Sequence, residues 1–205
     1  MKFGGVNMNY ETKEIKTKRL VLKRGTKNDF LKVYEYNFKK LNGVEGICDL
    51  EKNNQDTITK VYKEDKEKYY NKCKKAHIFD WIMFFNDKPI GNILAFNENK
   101  TLNSINILCN LHPAYWGKGF MPEALEEVIS YLFSQDYDSI ICSFIDGNKK
   151  AKRILEKLNF KPYMIDENSY VCENGNKKDE YILIMTKEDW LSRTLRLEKL
   201  KMLDR

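Results

Sequence analysis

Residues 115–124 read Tyr-Trp-Gly-Lys-Gly-Phe-Met-Pro-Glu-Ala, directly after an apolar segment and at the start of a helix-like run over 123–133. Glycine lets the backbone approach a ligand closely and adopt conformations that other residues avoid. A helix start leaves N–H groups without partners and carries a partial positive charge, so it favours a bound phosphate. Lys118 adds a full positive charge between Gly117 and Gly119. The segment therefore predicts a cradle for a pyrophosphate.

Two glycines around a lysine are also compatible with a simple turn before a helix. The segment is not a Walker loop, because no Gly-Lys-Ser/Thr follows, and it lacks the third glycine of a dinucleotide fingerprint. A second segment, about thirty residues further on, supports the ligand interpretation. Residues 148–160 read Asn-Lys-Lys-Ala-Lys-Arg-Ile-Leu-Glu-Lys-Leu-Asn-Phe.

The two segments together resemble the acyl-CoA loop and the following helix of the GNAT N-acetyltransferase superfamily. The similarity is closest to the branch that includes the ribosomal-protein N-terminal acetyltransferases. The second segment follows the family pattern N-x-x-S-x-x-V-L-x-K-L-G-F, with Ala151 replacing Ser and Asn159 replacing Gly. The loop begins with Trp116, where the superfamily usually has Arg or Gln, and ends in Met121 instead of Gly or Ala. The resemblance covers about residues 17–190.

Length and composition set broad limits on the protein. The chain has 205 residues, enough for one α/β domain, and a net charge of +6 from 36 basic and 30 acidic residues. This charge suits a ligand with several phosphates and does not demand a nucleic acid. The five cysteines form no CxxC pair, so we expect reduced thiols, a cytoplasmic location and no metal site. No apolar run approaches about twenty residues, so we expect neither a signal peptide nor a membrane span.

The periodicity of apolar residues predicts alternating strands and helices along the chain. The predicted strands cover 19–24, 78–85, 90–96, 103–111, 139–145, 161–172 and 180–186; the predicted helices cover 27–41, 55–75, 120–134, 149–158 and 187–203. Composition indicates only an α/β domain. The resemblance implies the GNAT fold, with a mixed, mostly antiparallel central sheet, helices on both faces and a splayed strand pair at the acyl-CoA site.

We expect three parts in the chain: an N-terminal arm at 1–16, the acetyltransferase domain at 17–187 and a C-terminal helix at 188–205. The last part contains Trp190 and several leucines, which cover more apolar surface than a free tail should leave in water. The helix is therefore expected to pack on its own domain or on a second subunit, as in a homodimer.

The resemblance also implies which residues bind acetyl-CoA. In the family, backbone N–H groups at the end of the strand before the loop bind the acyl carbonyl and the pantetheine arm. The implied contacts are the strand end Cys109, Asn110 and Leu111, the loop Trp116, Gly117, Lys118, Gly119, Phe120 and Met121, and the residue Asn148. Asn148 is equally suited to cap the helix that follows it, and both roles are compatible.

The catalytic residues are not identified by the sequence. Three positions that carry a base, an acid or a serine in relatives are here Asn106, Leu155 and Ala151. The remaining candidates are His112, Glu123, Cys109 and Asp146. Each of the first three has a structural alternative, because His112 suits a turn, Glu123 suits the first turn of a helix, and Cys109 suits an apolar core.

The main hypothesis is an acetyl-CoA-dependent N-acetyltransferase that acts by direct transfer to a primary amine in a ternary complex, with water taking the proton. The partners would be acetyl-CoA and an amine acceptor, either a small molecule or a protein N-terminus, with no membrane. A GNAT-fold protein that binds acyl-CoA with weak or no turnover is the first alternative. An RNA- or ribosome-binding module, which only the net charge favours, is the second.

Overall fold

The computed structural model describes residues 12–26, 28–29, 32–33, 79–172 and 175–203. The predicted helix at 55–75 and the loop before it lie outside these residues. The strands are β1 Ile15–Lys16, β2 Val21–Lys23, β3 Phe79–Phe85, β4 Lys88–Asn99, β5 Ser104–Leu111, β6 Ser139–Ile145, β7 Lys161–Val171 and β8 Lys177–Thr186. The helices are α1 Phe120–Ser134, α2 Lys149–Lys157 and α3 Lys187–Leu203, and a 3-10 turn covers Pro113–Tyr115.

The eight strands form one sheet in the order β1-β2-β3-β4-β5-β6-β8-β7. All neighbours are antiparallel except β5 and β6, which are parallel. The β5–β6 pairing ends at Ile107 and Cys142, although β5 continues to Leu111 and β6 continues to Ile145. The two strand ends therefore diverge, which confirms the predicted splayed pair in a mostly antiparallel sheet.

The β3–β4 hairpin turns at Asn86 and Asp87, which have φ angles of 47° and 60°. Asparagine and aspartate tolerate this left-handed region better than most residues, and two such residues match the twist of a tight hairpin. The hairpin predicted around residues 86–89 is thus confirmed, and it brings β4 back along β3.

Residues with helical backbone pack against both faces of the sheet. One face of β3 presents Trp81 to the core that α1 covers, where its ring meets Tyr131 edge-on at 5.6 Å. Ile82 points to the opposite face, because side chains alternate along a strand, and there it packs with Val33, a residue with helical backbone. No helix in the described part of the chain is long and apolar enough to cross a bilayer.

The C-terminal helix α3 contacts α1 through its first half. Trp190 is 6% exposed and its ring lies 6.4 Å from that of Phe133, while Arg193 forms an ion pair of 2.6 Å with Glu126. The leucines that follow are exposed to solvent: Leu191, Leu195, Leu197 and Leu200. The indole therefore packs on the chain's own domain, and contact of the leucines with a second subunit stays a prediction.

The sheet begins inside the segment expected to be an arm. Ile15 and Lys16 pair with β2, and the Trp81 indole donates a 2.9 Å hydrogen bond to the carbonyl of Lys13. The Asp80 backbone N–H donates to the Thr12 hydroxyl at 3.2 Å. These contacts fix the chain before the turn at 17–20, which reaches the loop at 116–119.

Candidate active site

The loop at 116–119 joins the 3-10 turn to α1 and has two left-handed residues. Gly117 has a φ of 73° and Gly119 a φ of 77°, and Gly119 is the N-cap of α1. Residues with a Cβ rarely adopt these angles, which explains the two glycines in the sequence. The loop therefore presents backbone, not side chains, to the space in front of the helix.

The start of α1 offers a limited set of N–H donors. The first backbone N–H groups of a helix have no partner inside it. At this helix they belong to Gly119, Phe120 and Met121, since the next residue, Pro122, has no N–H. Lys118 is exposed beside them, with its ammonium 5.5 Å from the Tyr115 ring centre. This set of donors and one cation suits a pyrophosphate.

Trp116 connects the loop to two other elements. Its indole N–H donates to the carbonyl of Leu111 at 2.7 Å, at the end of β5. The ammonium of Lys150, in the first turn of α2, lies 3.7 Å from the centre of the indole ring. One side chain therefore holds together the strand end, the loop and the helix of the second sequence motif.

The end of β5 points two backbone N–H groups into the gap beside β6. The His112 N–H donates to the Ile90 carbonyl on β4 at 2.8 Å. Because N–H groups alternate in direction along a strand, those of Cys109 and Leu111 point away from β4. The N–H of Asn110 points toward β4 instead. Two of the three predicted residues at the strand end thus face the gap through their backbone.

The neighbouring strand β4 approaches this strand end closely. A Cβ at Gly91 would lie 2.3 Å from the carbonyl oxygen of Asn110, so a side chain would push the two strands apart. One residue further on, the Asn110 side chain donates to the buried Asn92 Oδ1 at 3.2 Å. Gly91 thereby fixes the position of the strand end, and sequence reasoning missed it.

Asn106, Leu155 and Ala151 stand at the three positions that carry a base, an acid or a serine in relatives, and none of them has a catalytic side chain here. Leu155 is 2% exposed in the core. The Ala151 N–H donates to Asn148 Oδ1 at 3.1 Å, so Asn148 caps α2. Asn106 lies in β5, paired with β4 and β6. None of these side chains is a base at neutral pH.

His112 and Asp146 both lie in turns. The His112 Nδ1 accepts a 3.0 Å hydrogen bond from the Ala114 N–H and caps the 3-10 turn, and its ring lies 5.7 Å from that of Tyr115. Asp146 is exposed after β6, and its N–H donates to the Asp179 carbonyl. The histidine thus has the turn role that was its structural alternative.

Glu123 accepts hydrogen bonds from the turn between β1 and β2. Its Oε1 accepts from the Thr17 hydroxyl at 2.5 Å and from the Arg19 N–H at 2.8 Å, and its Oε2 accepts from Arg19 Nε at 2.7 Å. Burial acts to raise the pKa of Glu123, but these bonds and the Arg19 charge outweigh it, so the pKa lies below its ordinary value. A carboxylate held in this way is a poor proton acceptor.

Cys109 is a partly buried residue on the α1 side of the sheet. Burial raises its pKa to about 11, so the thiol stays protonated at neutral pH. Burial also raises the pKa of Cys142, and the nearby Cys109 adds to the effect. Cys109 therefore contributes its backbone N–H to the gap, while its side chain packs against the core.

Asp80 is a carboxylate that the sequence did not single out. Its Oδ1 is buried and has no hydrogen-bond partner among the residues that the structure describes. Burial raises the pKa of Asp80 to about 6, against the opposing charge of Arg24. The registers Asp80–Leu94 and Leu94–Leu108 place Asp80 on the same sheet face as Leu108 and Asn106. That face is opposite the one covered by α1.

The residues that sequence reasoning missed act through distant partners. Thr17 and Arg19 contact α1 about a hundred residues later, and Lys150 contacts the loop thirty-four residues before it. The polar Thr-Lys-Arg run at 17–19 is visible in the sequence, but it does not indicate which residues it contacts. Only the fold brings these groups to the loop.

Comparison with known proteins identifies the domain. A family model described as an acetyltransferase (GNAT) domain matches residues 19–161, which are 143 of the 205 residues. An uncharacterized N-acetyltransferase of Schizosaccharomyces pombe is 29% identical over 95 residues, which cover 46% of this chain and 49% of that protein. The chain thus matches about half of the length of this curated relative. The resemblance inferred from the two motifs is confirmed.

Solved structures share the fold at low sequence identity. RimJ of Mycobacterium smegmatis, in complex with CoA-disulfide, has a TM-score of 0.74 at 12% identity, with 88% of this chain and 90% of that chain covered. The ribosomal-protein-S5-alanine acetyltransferase of Vibrio fischeri has a TM-score of 0.68 at 18% identity, covering 87% and 98%. At these identities the likeness concerns the fold alone.

Proposed function

The chain belongs to the GNAT acetyltransferase family, and we propose that it transfers the acetyl group of acetyl-CoA to a primary amine by direct attack in a ternary complex. The observation that carries the proposal is the left-handed loop at Gly117–Gly119, placed beside the divergent ends of β5 and β6. The N–H groups that would bind the phosphates and those that would bind the thioester carbonyl therefore lie on adjacent backbone segments. Trp116 joins these two segments.

Each part of the site has a distinct binding role in this proposal. The N–H groups over 116–121, with the Lys118 ammonium, bind the pyrophosphate. The backbone at 109–111 and the Asn148 side chain bind the pantetheine arm. Holding the thioester beside the amine lowers the entropic part of the barrier. No metal takes part.

In the chemical step the amine nitrogen attacks the thioester carbonyl carbon, a C–N bond forms and the C–S bond breaks. The N–H groups of Cys109 and Leu111 stabilise the negative charge that develops on the carbonyl oxygen. The amine proton passes to water, because the side chains of Asn106, Ala151 and Leu155 cannot accept it at neutral pH. CoA leaves as the thiolate and takes a proton from solvent.

The acceptor class is left open between a protein N-terminus, a polyamine, an amino sugar and a small metabolite amine. A ribosomal-protein peptide is the first acceptor to test, since one structurally similar protein is named for ribosomal protein S5. A cytoplasmic location accords with the free thiols of Cys109, Cys142 and Cys172.

The test is mass spectrometry of the purified protein for bound CoA, followed by acetylation assays with acetyl-CoA and one amine of each class. We expect bound CoA and an acetylated product whose rate rises with pH up to the pKa of the acceptor amine itself, about 8 for an α-amine and about 10 for an alkylamine. A pH midpoint that stays the same when the acceptor changes would contradict transfer without an enzyme base.

The empty catalytic positions favour one alternative, a protein that binds acyl-CoA without turnover. It would show the same CoA affinity by calorimetry but no acetylated product with any amine class. Absence of CoA binding would contradict both functions.

A further inference from the structure

The turn between β1 and β2 contacts the loop at 116–119, which is predicted to bind the pyrophosphate, through the side chain of Arg19. Arg19 Nη1 donates to the Lys118 carbonyl at 2.8 Å, and the guanidinium carbon lies 4.3 Å from the centre of the Phe120 ring. Its Nη2 is 3.4 Å from the place where a Cβ of Gly119 would lie. One side chain thus contacts Lys118 in the loop and Phe120 at the start of α1, and it lies beside Gly119 between them.

Arg19 is itself held by the helix that the loop precedes. Its Nε donates to Glu123 Oε2 at 2.7 Å, and its backbone N–H donates to the other carboxylate oxygen at 2.8 Å. Thr17 donates to that same oxygen. The planar guanidinium can bond a carboxylate and a carbonyl at once, with fixed angles between the two bonds, which a lysine cannot do.

The bond to the Lys118 carbonyl sets the direction of the next N–H. A trans peptide is planar and its C=O and N–H point in opposite directions. Because Arg19 draws the Lys118 C=O toward itself, the Gly119 N–H must point to the other side of the loop. That N–H is one of the donors at the start of α1.

We infer that Arg19 and Glu123 form a positioning pair that holds the Lys118–Gly119 peptide in the orientation required to bind the pyrophosphate of acetyl-CoA. The inference rests on the proposed function. It assigns Glu123 a structural task at the donor site in place of proton transfer. Arg19 is then not one of the cations that neutralise the phosphate, because its own charge is already balanced by Glu123.

Two substitutions distinguish positioning from charge. Arg19→Lys keeps the positive charge but loses the planar group that bonds the Glu123 carboxylate and the Lys118 carbonyl at once. Glu123→Gln removes a negative charge close to the phosphate site, so a purely electrostatic role predicts equal or tighter CoA binding. Positioning predicts weaker binding in both variants. Arg193→Lys is the matched control, because Arg193 forms a 2.6 Å ion pair with Glu126 on the same helix, away from the loop.

The experiment measures CoA affinity by calorimetry, thermal unfolding, and KM and kcat for acetyl-CoA in all four proteins. We expect Arg19→Lys and Glu123→Gln to raise Kd and KM at least about tenfold while kcat changes by less than about threefold. Arg193→Lys should leave Kd and KM unchanged. A merely structural role would lower the unfolding temperature and kcat without this selective rise in KM.

The inference is overturned if either variant of the pair keeps wild-type CoA affinity, or if the control loses affinity equally. If the wild-type protein neither binds CoA nor transfers an acetyl group, the proposed function fails as well. The affinity of the wild-type protein therefore tells the two failures apart.

Discussion

Two carboxylates on opposite faces of the sheet differ in how the protein treats them. Glu123, in the first turn of α1 after the loop at 116–119, accepts three hydrogen bonds from Thr17 and Arg19 and has a lowered pKa. Asp80, on the other face, has a buried oxygen without a hydrogen-bond partner in the described part of the chain, and burial raises its pKa to about 6. The carboxylate on the α1 side is thus held by hydrogen bonds at both oxygens, whereas one oxygen of Asp80 has no hydrogen-bond partner among the described residues.

The difference shows that position in the fold, not residue type, decides what a carboxylate does here. Hydrogen bonds stabilise the charged form of Glu123, so this carboxylate stays ionised and holds Thr17 and Arg19 in place. Burial destabilises the charged form of Asp80 by more than the nearby Arg24 charge stabilises it. A group with a pKa near neutrality can exchange a proton during a reaction, while a strongly anchored anion cannot.

The largest effect is expected for Asp80→Asn. The folded pKa of about 6 exceeds the ordinary value of 3.8, so the carboxyl stabilises the fold below about pH 4 and this contribution is lost as pH rises through about 6. The shift corresponds to about 3 kcal/mol. Denaturant unfolding should show the variant more stable than wild type at pH 8, and equal to it at pH 3.5. Equal stability at pH 8 would mean that the oxygen has an unseen partner.

Gly119→Val should reduce CoA affinity by up to about a hundredfold, measured by calorimetry. A branched side chain at a φ of 77° costs about 1–3 kcal/mol, and its Cβ would touch the Arg19 guanidinium. Gly175→Val is the matched control, since Gly175 also has a positive φ, of 81°, but lies in the β7–β8 hairpin with open space where its Cβ would be. Similar CoA affinity in Gly119→Val and wild type would remove the loop from the site.

Single changes at the candidate catalytic residues should lower kcat by less than about a hundredfold, below the upper range for a general base. His112→Ala, Glu123→Gln and Cys109→Ala are the variants, because His112 caps a turn, Glu123 is an anchor and the Cys109 thiol has a pKa near 11. Steady-state rates at saturating acetyl-CoA test this. A larger loss with CoA binding and folding intact, in these or in Asp80→Asn, would identify a base.

The smallest effect is expected for Lys118→Ala, about a fivefold loss of CoA affinity, since one exposed charge is removed while the backbone donors remain. The loss should shrink at high salt, because screening weakens an exposed charge. Lys88→Ala, an exposed lysine in the β3–β4 hairpin, is the control for net charge. A loss as large as that of Gly119→Val would show that charge outweighs backbone geometry.

Local patterns predicted most of the described secondary structure. Helices at 120–134 and 187–203 and a strand at 139–145 were expected with these bounds, because periodicity and caps are properties of neighbouring residues. The tail shows the limit of such patterns. Its apolar side chains predicted a helix packed on its own domain or on a second subunit. Trp190 packs on the domain, whereas Leu195 and Leu200 are more than half exposed, so contact of these leucines with a second subunit stays a prediction.

The sequence alone determined the loop, its glycines and the family, since short motifs carry their own backbone requirements. Only the tertiary structure decided that Glu123 holds Arg19, that Leu155 is buried and that Asp80 Oδ1 finds no hydrogen-bond partner within the described residues. Each of these facts depends on a contact, or a missing contact, between residues far apart in the chain. Local propensity contains no information about such pairs, whereas burial and hydrogen bonding depend on them directly.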